Sequence, residues 1–419
     1  MQYQHERKRV VITGLGVRCE MAKGIDEFCD ALYNGRSCVH LMDEFASDDP
    51  LYNMGGHIRK FNFAEEMPNV DGKRMLRFSQ LAMVAAQWAI ADADLQLDLL
   101  DSSRIGTAFG SAVAGAGETF HQEGKRFFAR GGRGVTPSAY AEYTASACTT
   151  HVAIHFGLRG PISTHASGCV SGIDTLLWGV EQIRNGNADC MVVGGADSPF
   201  FPLLWAGVYR SGILAPTPED GGNMPRPFSA DHAGIALVEG GAAVIIESET
   251  HARLRKARIY GEILGGVTVD SGEPLQKLDP TGAIFTKTIH LALQDAGLPP
   301  TAIDWVCAHG TGHPIGDGAE SNGIEQALGS HAYCLPVSSI RGAVGQSFAS
   351  GGGFMVAAAS LAIKHQRVPP TINFSQPADG CRLDYVPNVA RIARVRRVLI
   401  NTAGIGGLHS SLVMGAFEG

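Results

Sequence analysis

The sequence predicts an α/β protein built on a parallel or mixed sheet. Short β-branched runs ending in glycine recur along it, amphipathic helical patterns alternate with those runs, and 419 residues suffice for a large buried core. Residues 9–16 (RVVITGLG), 104–110 (RIGTAFG), 188–195 (ADCMVVGG), 241–247 (GAAVIIE), 303–310 (IDWVCAHG) and 397–404 (RVLINTAG) are the strand candidates. Continuous apolar runs without alternation mark strands covered on both faces. Between them, Ile173, Leu176, Leu177, Val180 and Ile183 keep the i, i+3, i+4, i+7 spacing of one helical face, and residues 78–91 and 283–296 read the same way. The order of strands and helices before about residue 250 recurs after it, which points to two similarly built halves. The polar stretch 249–258 (ETHARLRKAR) is a candidate connector, and the turn-rich 216–229 is the other excursion.

Composition narrows the function classes. Hydrophobic residues are 45% and charged residues 18%, too apolar for a mainly disordered chain and compatible with a large subunit interface. Lys and Arg number 34 against 41 Asp and Glu, a net charge of −7, so no overall basic surface draws the chain to nucleic acid. The 53 glycines have no period and sit at the ends of apolar runs, which favours close backbone packing over low complexity. No apolar stretch approaches the ~20 residues of a membrane span. The first twenty residues lack a secretory pattern, so a cytoplasmic protein is expected. Nine cysteines without a C-x-x-C pair argue against a disulfide framework and a zinc site; no metal is expected.

Four segments can carry chemistry. In HASGCVSG, residues 165–172, Cys169 follows Gly168 and opens the amphipathic helix, where backbone N–H groups and the helix dipole are expected to lower its pKa. Taken alone, a cysteine in a Gly/Ser-rich turn is more often inert packing. In AHGTGHPIGD, residues 308–317, His309 ends a strand at a glycine turn, the usual exit point for active residues in an α/β sheet, where a neutral imidazole could donate a hydrogen bond to a thioester or its enolate and could accept protons near neutral pH. A histidine satisfied by backbone groups is the competing reading. Residues 337–353 (VSSIRGAVGQSFASGGG) run from a strand into a small-residue helix with Arg341 and Gln346 as the large polar groups, Gln346 being a candidate neutral donor. In NTAGIGGLHSS, residues 401–411, loop N–H groups could join that of Cys169 to hold an oxyanion, or the glycines could serve tight packing.

These segments, in this order, resemble the elongating β-ketoacyl-acyl-carrier-protein synthases and the type II polyketide ketosynthases, which share the thiolase fold. The resemblance spans nearly the whole chain: RVVITGLG, GPISTHASGCVSG from Gly160, ADCMVVGGAD from Ala188, RPF at Arg226, AHGTGHPIGD, VSSIRGAVGQ, VPPTINF from Val368 and GIGG from Gly404. It implies two βαβαβαββ halves in a five-layered α-β-α-β-α core. The N-terminal half, residues 1–255, would carry Cys169, and the C-terminal half, residues 256–419, would carry His309, Gln346 and the glycine loop.

The implied function is acyl transfer from acyl carrier protein to Cys169, followed by decarboxylative condensation with a malonyl unit in polyketide or specialised fatty-acid synthesis. By resemblance Cys169 is the nucleophile, His309 the first catalytic histidine, and the N–H groups of Cys169 and Ile405 the oxyanion hole. Thr311 and His313 match the positions that touch the phosphopantetheine arm, and Ile405 and Leu408 lie at the acyl gate. Lys73, Arg74 and Arg226 fall where basic residues face the carrier protein. No resident cofactor is implied, because the phosphopantetheine arrives on the carrier, and a homodimer or a heterodimer with a ketosynthase-like subunit is expected.

The departures are grouped. The family's second histidine is Gln346 here, its lysine is Arg341, the glutamate that pairs with that lysine is Met355, the gate phenylalanine is Ile405, and Leu408-His409 replaces a common Thr-Asn pair. Gln346 can donate one neutral hydrogen bond to a developing enolate but cannot take a charge. Losing a charge-assisted bond costs about 1.5–3 kcal/mol, or about ten- to a hundredfold in the decarboxylating step. The smaller Ile405 implies a roomier acyl pocket. Two other roles fit these substitutions: a non-catalytic partner subunit like the chain-length factors, which retention of Cys169 disfavours, and an acyltransferase or cyclising enzyme without decarboxylation.

Overall fold

The structure, a computed structural model, describes residues 7–42, 52–274 and 278–419; residues 1–6, the start of the stretch read above for a secretory pattern, lie outside them. Among the described residues the central sheet has eleven strands, ten of them in one continuous order: β1 (Val10–Cys19), β2 (Ile105–Gly110), β3 (Ile162–His165), β4 (Cys190–Asp197), β5 (Gly240–Ser248), β6 (Gly261–Asp270), β7 (Trp305–Cys307), β8 (Val337–Ser338), β9 (Arg397–Ala403) and β10 (Leu408–Gly415). The short strand Ala22–Lys23 folds back on β1. Every residue of β1, β4 and β5 is buried, the physical reason their sequences read as unbroken apolar runs.

The strand order is β3-β2-β4-β5-β1 followed by β6-β10-β9-β7-β8. Within the first five, β1–β5 and β5–β4 are antiparallel, while β4–β2 and β2–β3 are parallel. Within the second five, β6–β10 and β10–β9 are antiparallel, while β9–β7 and β7–β8 are parallel. The chain thus lays down the same order and directions twice. The two sets meet through a short antiparallel pairing of Val10, Val11 and Ile12 with Ile263, Glu262 and Gly261.

Five main helices complete the layers: α1 (Arg77–Asp92), α2 (Ser171–Arg184), α3 (Ala283–Ala296), α4 (Pro314–Leu328) and α5 (Ser350–His365). α1 covers the outer face of the first set of strands and α3, with α4 beside it, that of the second. α2 and α5 lie between the two sets and pack on each other and on both. This central layer positions the chemistry, because α2 follows the turn holding Cys169 and α5 follows the segment holding Gln346.

Close approach of backbones accounts for many of the glycines. A Cβ at Gly16 would lie 2.0 Å from the Ala85 carbonyl oxygen of α1, and Cβ atoms at Gly172 and Gly195 would lie 2.1 and 2.4 Å from that of Ala349, just before α5. The polar stretch after β5 is a short helix, Glu249–Leu254, and residues 216–229 form turns without a regular element. One strand is shorter than its sequence implies: of residues 303–310 only Trp305–Cys307 joins the ladder. Beyond it, the His309 and Gly310 N–H groups leave the sheet to bond the Glu320 carboxylate at 2.8 and 2.7 Å. Among the described residues no helix is long and apolar enough to cross a membrane.

Candidate active site

Cys169 sits in a single 3-10 turn, Gly168–Val170, entered through Gly168 at φ +63° and leading into α2. A left-handed residue there turns the chain off β3, and the Ser171 hydroxyl locks the turn by donating to the Gly168 carbonyl at 2.6 Å. The sulfur accepts a hydrogen bond from Gln346 Nε2 at 3.1 Å, and the backbone N–H groups of Ile405 and of Cys169 itself also bond it. Cys169 is only 5% exposed and packs with Met42, Trp205, Val208, Leu214, Ile235, Leu237 and Phe348. The expectation of a lowered pKa is overturned. Burial pushes the thiol up to about 11, Arg341 pulls it down less strongly, and Asp197 adds to the rise.

Gln346 is held by its backbone on both sides. Its N–H donates to the Ala236 carbonyl at 2.7 Å, and its carbonyl accepts from the Val238 N–H at 3.0 Å. Gly345, at φ +57°, makes the approach possible, since a Cβ there would sit 2.2 Å from Val238 Cγ2. The Gln346 amide oxygen is enclosed without a partner, while Nε2 points at the sulfur.

His309 lies two residues past β7 and lines the same region as Arg341, His313 and His409, all of which disfavour its charged form. Burial comes first among the causes, and together they hold the imidazole well below its ordinary pKa. This disfavours the expected uptake of a proton near neutral pH and is consistent with the other expectation, a neutral imidazole. Its Nδ1 is enclosed without a partner. Sequence reasoning missed the two carboxylates that shape this loop. Glu320 of α4 takes the His309 and Gly310 N–H groups and Asn401 Nδ2, and burial raises its pKa to about 7. Asp317 takes the N–H groups of Thr311 at 3.0 Å, Gly312 at 3.2 Å and Phe228 at 2.7 Å. Their signal was the pair Asp317 and Glu320, three residues apart just after the AHGTGH motif.

Thr311 is buried, and His313 caps α4 by accepting the Gly316 N–H on Nδ1 at 3.2 Å. Ile405 brings its N–H to the sulfur while its side chain is 60% exposed, and a Cβ on the adjacent Gly404 would lie 3.4 Å from the Cys169 nitrogen. Leu408 begins β10 and its carbonyl accepts the Gly404 N–H at 2.8 Å. His409 is buried with its ring edge-on to Phe285, and its Nδ1 is 3.0 Å from the Gly407 carbonyl.

The basic residues divide. Lys73 and Arg74 end a short turn, Gly72–Arg74, and are exposed. Arg226 is different: its side chain is mostly buried and bonds both Asp220, at 2.8 Å, and Asp231. Two carboxylates already neutralise it, so its guanidinium is not the free surface cation expected of a carrier-protein contact.

Residues 7–252 match the family described as "Beta-ketoacyl synthase, N-terminal domain", and residues 260–375 match "Beta-ketoacyl synthase, C-terminal domain". The chain belongs to the β-ketoacyl synthase family. This synthase is 33% identical over 417 residues to the tetracenomycin polyketide synthase ketoacyl synthase alpha subunit of Streptomyces glaucescens, covering 98% of each chain. It is 31% identical over 413 residues to 3-oxoacyl-[acyl-carrier-protein] synthase 2 of Synechocystis, covering 99% of each. A solved structure of a type II polyketide synthase acyl-carrier protein in complex with its ketosynthase bound to the hexaketide superposes with a TM-score of 0.91 at 30% identity. That match covers 99% of this synthase and all of the solved chain, and it establishes the thiolase-like ketosynthase fold. Like the family, this synthase is a condensing acyltransferase.

Proposed function

We propose that this β-ketoacyl synthase takes an acyl chain from acyl carrier protein onto Cys169 and extends it by decarboxylative condensation with malonyl-carrier protein, in polyketide or specialised fatty-acid synthesis. The observation that carries the reading is the convergence of three donors on one buried sulfur: the N–H groups of Cys169 and Ile405, and Gln346 Nε2. In acylation, Sγ attacks the thioester carbonyl, the two backbone N–H groups hold the oxyanion, and the carrier thiol leaves. In condensation, the malonyl C–C bond breaks to release carbon dioxide and leaves an enolate. Neutral His309 and the Gln346 amide donate to its oxygen, its carbon attacks the acyl group, and the Cys169 thiolate departs. Thr311 and His313 flank the arm of the carrier, and Lys73 and Arg74 meet its acidic surface.

The reading includes no cofactor resident in the protein and places it in the cytoplasm. A dimer, with itself or with a ketosynthase-like partner, is part of it; Phe128 and Tyr140 are 80% and 87% exposed, apolar surface that a second subunit would cover. The test is incubation with acyl-carrier protein and mass spectrometry of the Cys169 peptide. An acyl adduct that disappears in Cys169→Ala supports the assignment; no adduct, or one that survives Cys169→Ala, refutes it.

A further inference from the structure

Arg341 is fully buried, yet its guanidinium hydrogen-bonds only neutral groups. Nη1 donates to the Gly345 carbonyl at 3.4 Å and the Ser347 hydroxyl at 3.3 Å, Nη2 faces Met355 Sδ at 3.9 Å, and Nε is enclosed without a partner. No ion pair links it to a carboxylate among the described residues. A guanidinium stays protonated in proteins, and a charge withdrawn from water without a counter-charge is strongly destabilising. The room for it exists because residue 351 is glycine, since a Cβ there would lie 2.2 Å from Nη1. Gly345, which takes Nη1, directly precedes Gln346, whose amide touches the sulfur.

We infer that the Arg341 guanidinium, left without a carboxylate by Met355, is the fixed positive charge that makes up for the uncharged Gln346, favouring an anionic Cys169 sulfur and an uncharged His309. This rests on the reading of Cys169 as the acyl acceptor. Arg341 is a positioning residue that acts through the sulfur, and the thiol proton it displaces passes to solvent.

The groups facing this set are few. Arg341 faces Cys169, Cys307 and Glu320; Cys169 also faces Asp197; His309 faces Arg341, His313 and His409. Burial raises Glu320 to about 7 and Asp197 to about 6; both are mostly ionised at pH 8, yet neither forms an ion pair with the guanidinium. Asp197 is further absorbed by the Ser111 hydroxyl and the N–H groups of Ala112, Val113 and Ala349. Arg341 is the largest influence opposing the rise of the Cys169 thiol, and after burial the largest lowering His309.

The experiment is alkylation by iodoacetamide as a function of pH without acyl substrate, read on the Cys169 peptide because the exposed Cys334 reacts as well. Met355→Glu places a carboxylate against Nη2 and keeps the arginine; the expected result is about tenfold slower alkylation at pH 8, with the profile moved to higher pH. Arg341→Met moves it the same way, and Arg341→Lys, which keeps the charge, leaves it near wild type. If Arg341→Met does not fold, Met355→Glu carries the test. A Met355→Glu profile that superposes on wild type overturns the inference, as does an Arg341→Lys profile displaced as far as that of Met355→Glu, which marks a role in shape alone. Failure of wild-type acyl loading would refute the proposed function but leave this comparison readable.

Discussion

Substituting Gly172 by alanine probes the contact that assembles the site. Gly172 stands three residues after Cys169 on α2, and its added Cβ would lie 2.1 Å from the Ala349 carbonyl oxygen, three residues after Gln346. That is 1.3 Å short of the 3.4 Å at which ordinary contact begins, and the obstacle is backbone, which cannot rotate away. Two effects compete. Replacing glycine by alanine in a helix gains about 1 kcal/mol, while overpacking costs about 1–3 kcal/mol, the upper end applying against main chain. The expected net loss is about 2 kcal/mol, seen as a lower urea midpoint at unchanged slope. A displacement of that size also takes the 3.1 Å Gln346–Cys169 bond out of range, so the decarboxylating condensation should slow. Gly195 presses on the same carbonyl at 2.4 Å, so Gly195→Ala should destabilise too, and the double variant should lose less than the two single losses combined, because one shift relieves both clashes. A Gly172→Ala protein as stable as wild type, or strict additivity in the double variant, would refute the reasoning.

Other expectations follow from the same geometry. Gln346→Ala should slow release of labelled carbon dioxide from malonyl-carrier protein about tenfold while leaving acyl loading near wild type, and Gln346→His should raise it, both read in single turnovers. Glu247 is buried; burial opposes its ionisation, but bonds from Arg255, His251 and Thr13 win and hold its pKa at about 2. Its folded pKa is depressed, so its contribution of about 3 kcal/mol is present above the ordinary carboxylate range and is lost as pH falls from about 4.5 towards 2. Arg255→Met should cost about 3 kcal/mol in urea unfolding at pH 7 and reduce the difference between pH 7 and pH 3. Charge reversal at Lys73 and Arg74 should weaken carrier-protein binding in a salt-dependent way, whereas Arg226→Gln should leave that affinity unchanged in the same titration.

What could be read in advance was what depends on local pattern. Five buried strand runs and three helices lie where apolar spacing put them; residues 283–296 match α3 end to end. Cys169 and Gln346 were named from glycine-rich turns at the ends of predicted elements, and the structure brings them within 3.1 Å although 177 residues separate them. Properties set by distant neighbours were not legible. The helix-terminus argument for Cys169 was sound locally and lost to burial by an apolar cluster drawn from residues as distant as Met42 and Leu237. Nothing in residues 303–310 announces that Glu320 will take two of their N–H groups, and nothing around Arg226 shows that Asp220 and Asp231 will neutralise it. Phe348 at φ +51° is another such feature, a bulky residue in a left-handed turn beside the sulfur.

The central claim is that one cysteine both accepts an acyl chain and gives it up to a carbon nucleophile. Pre-acylated protein mixed with labelled malonyl-carrier protein in a single turnover tests it most directly. The account predicts that carbon dioxide and β-ketoacyl-carrier protein form in equal amounts as the Cys169 adduct disappears. An adduct that persists, or returns to carrier without a new carbon–carbon bond, would contradict it.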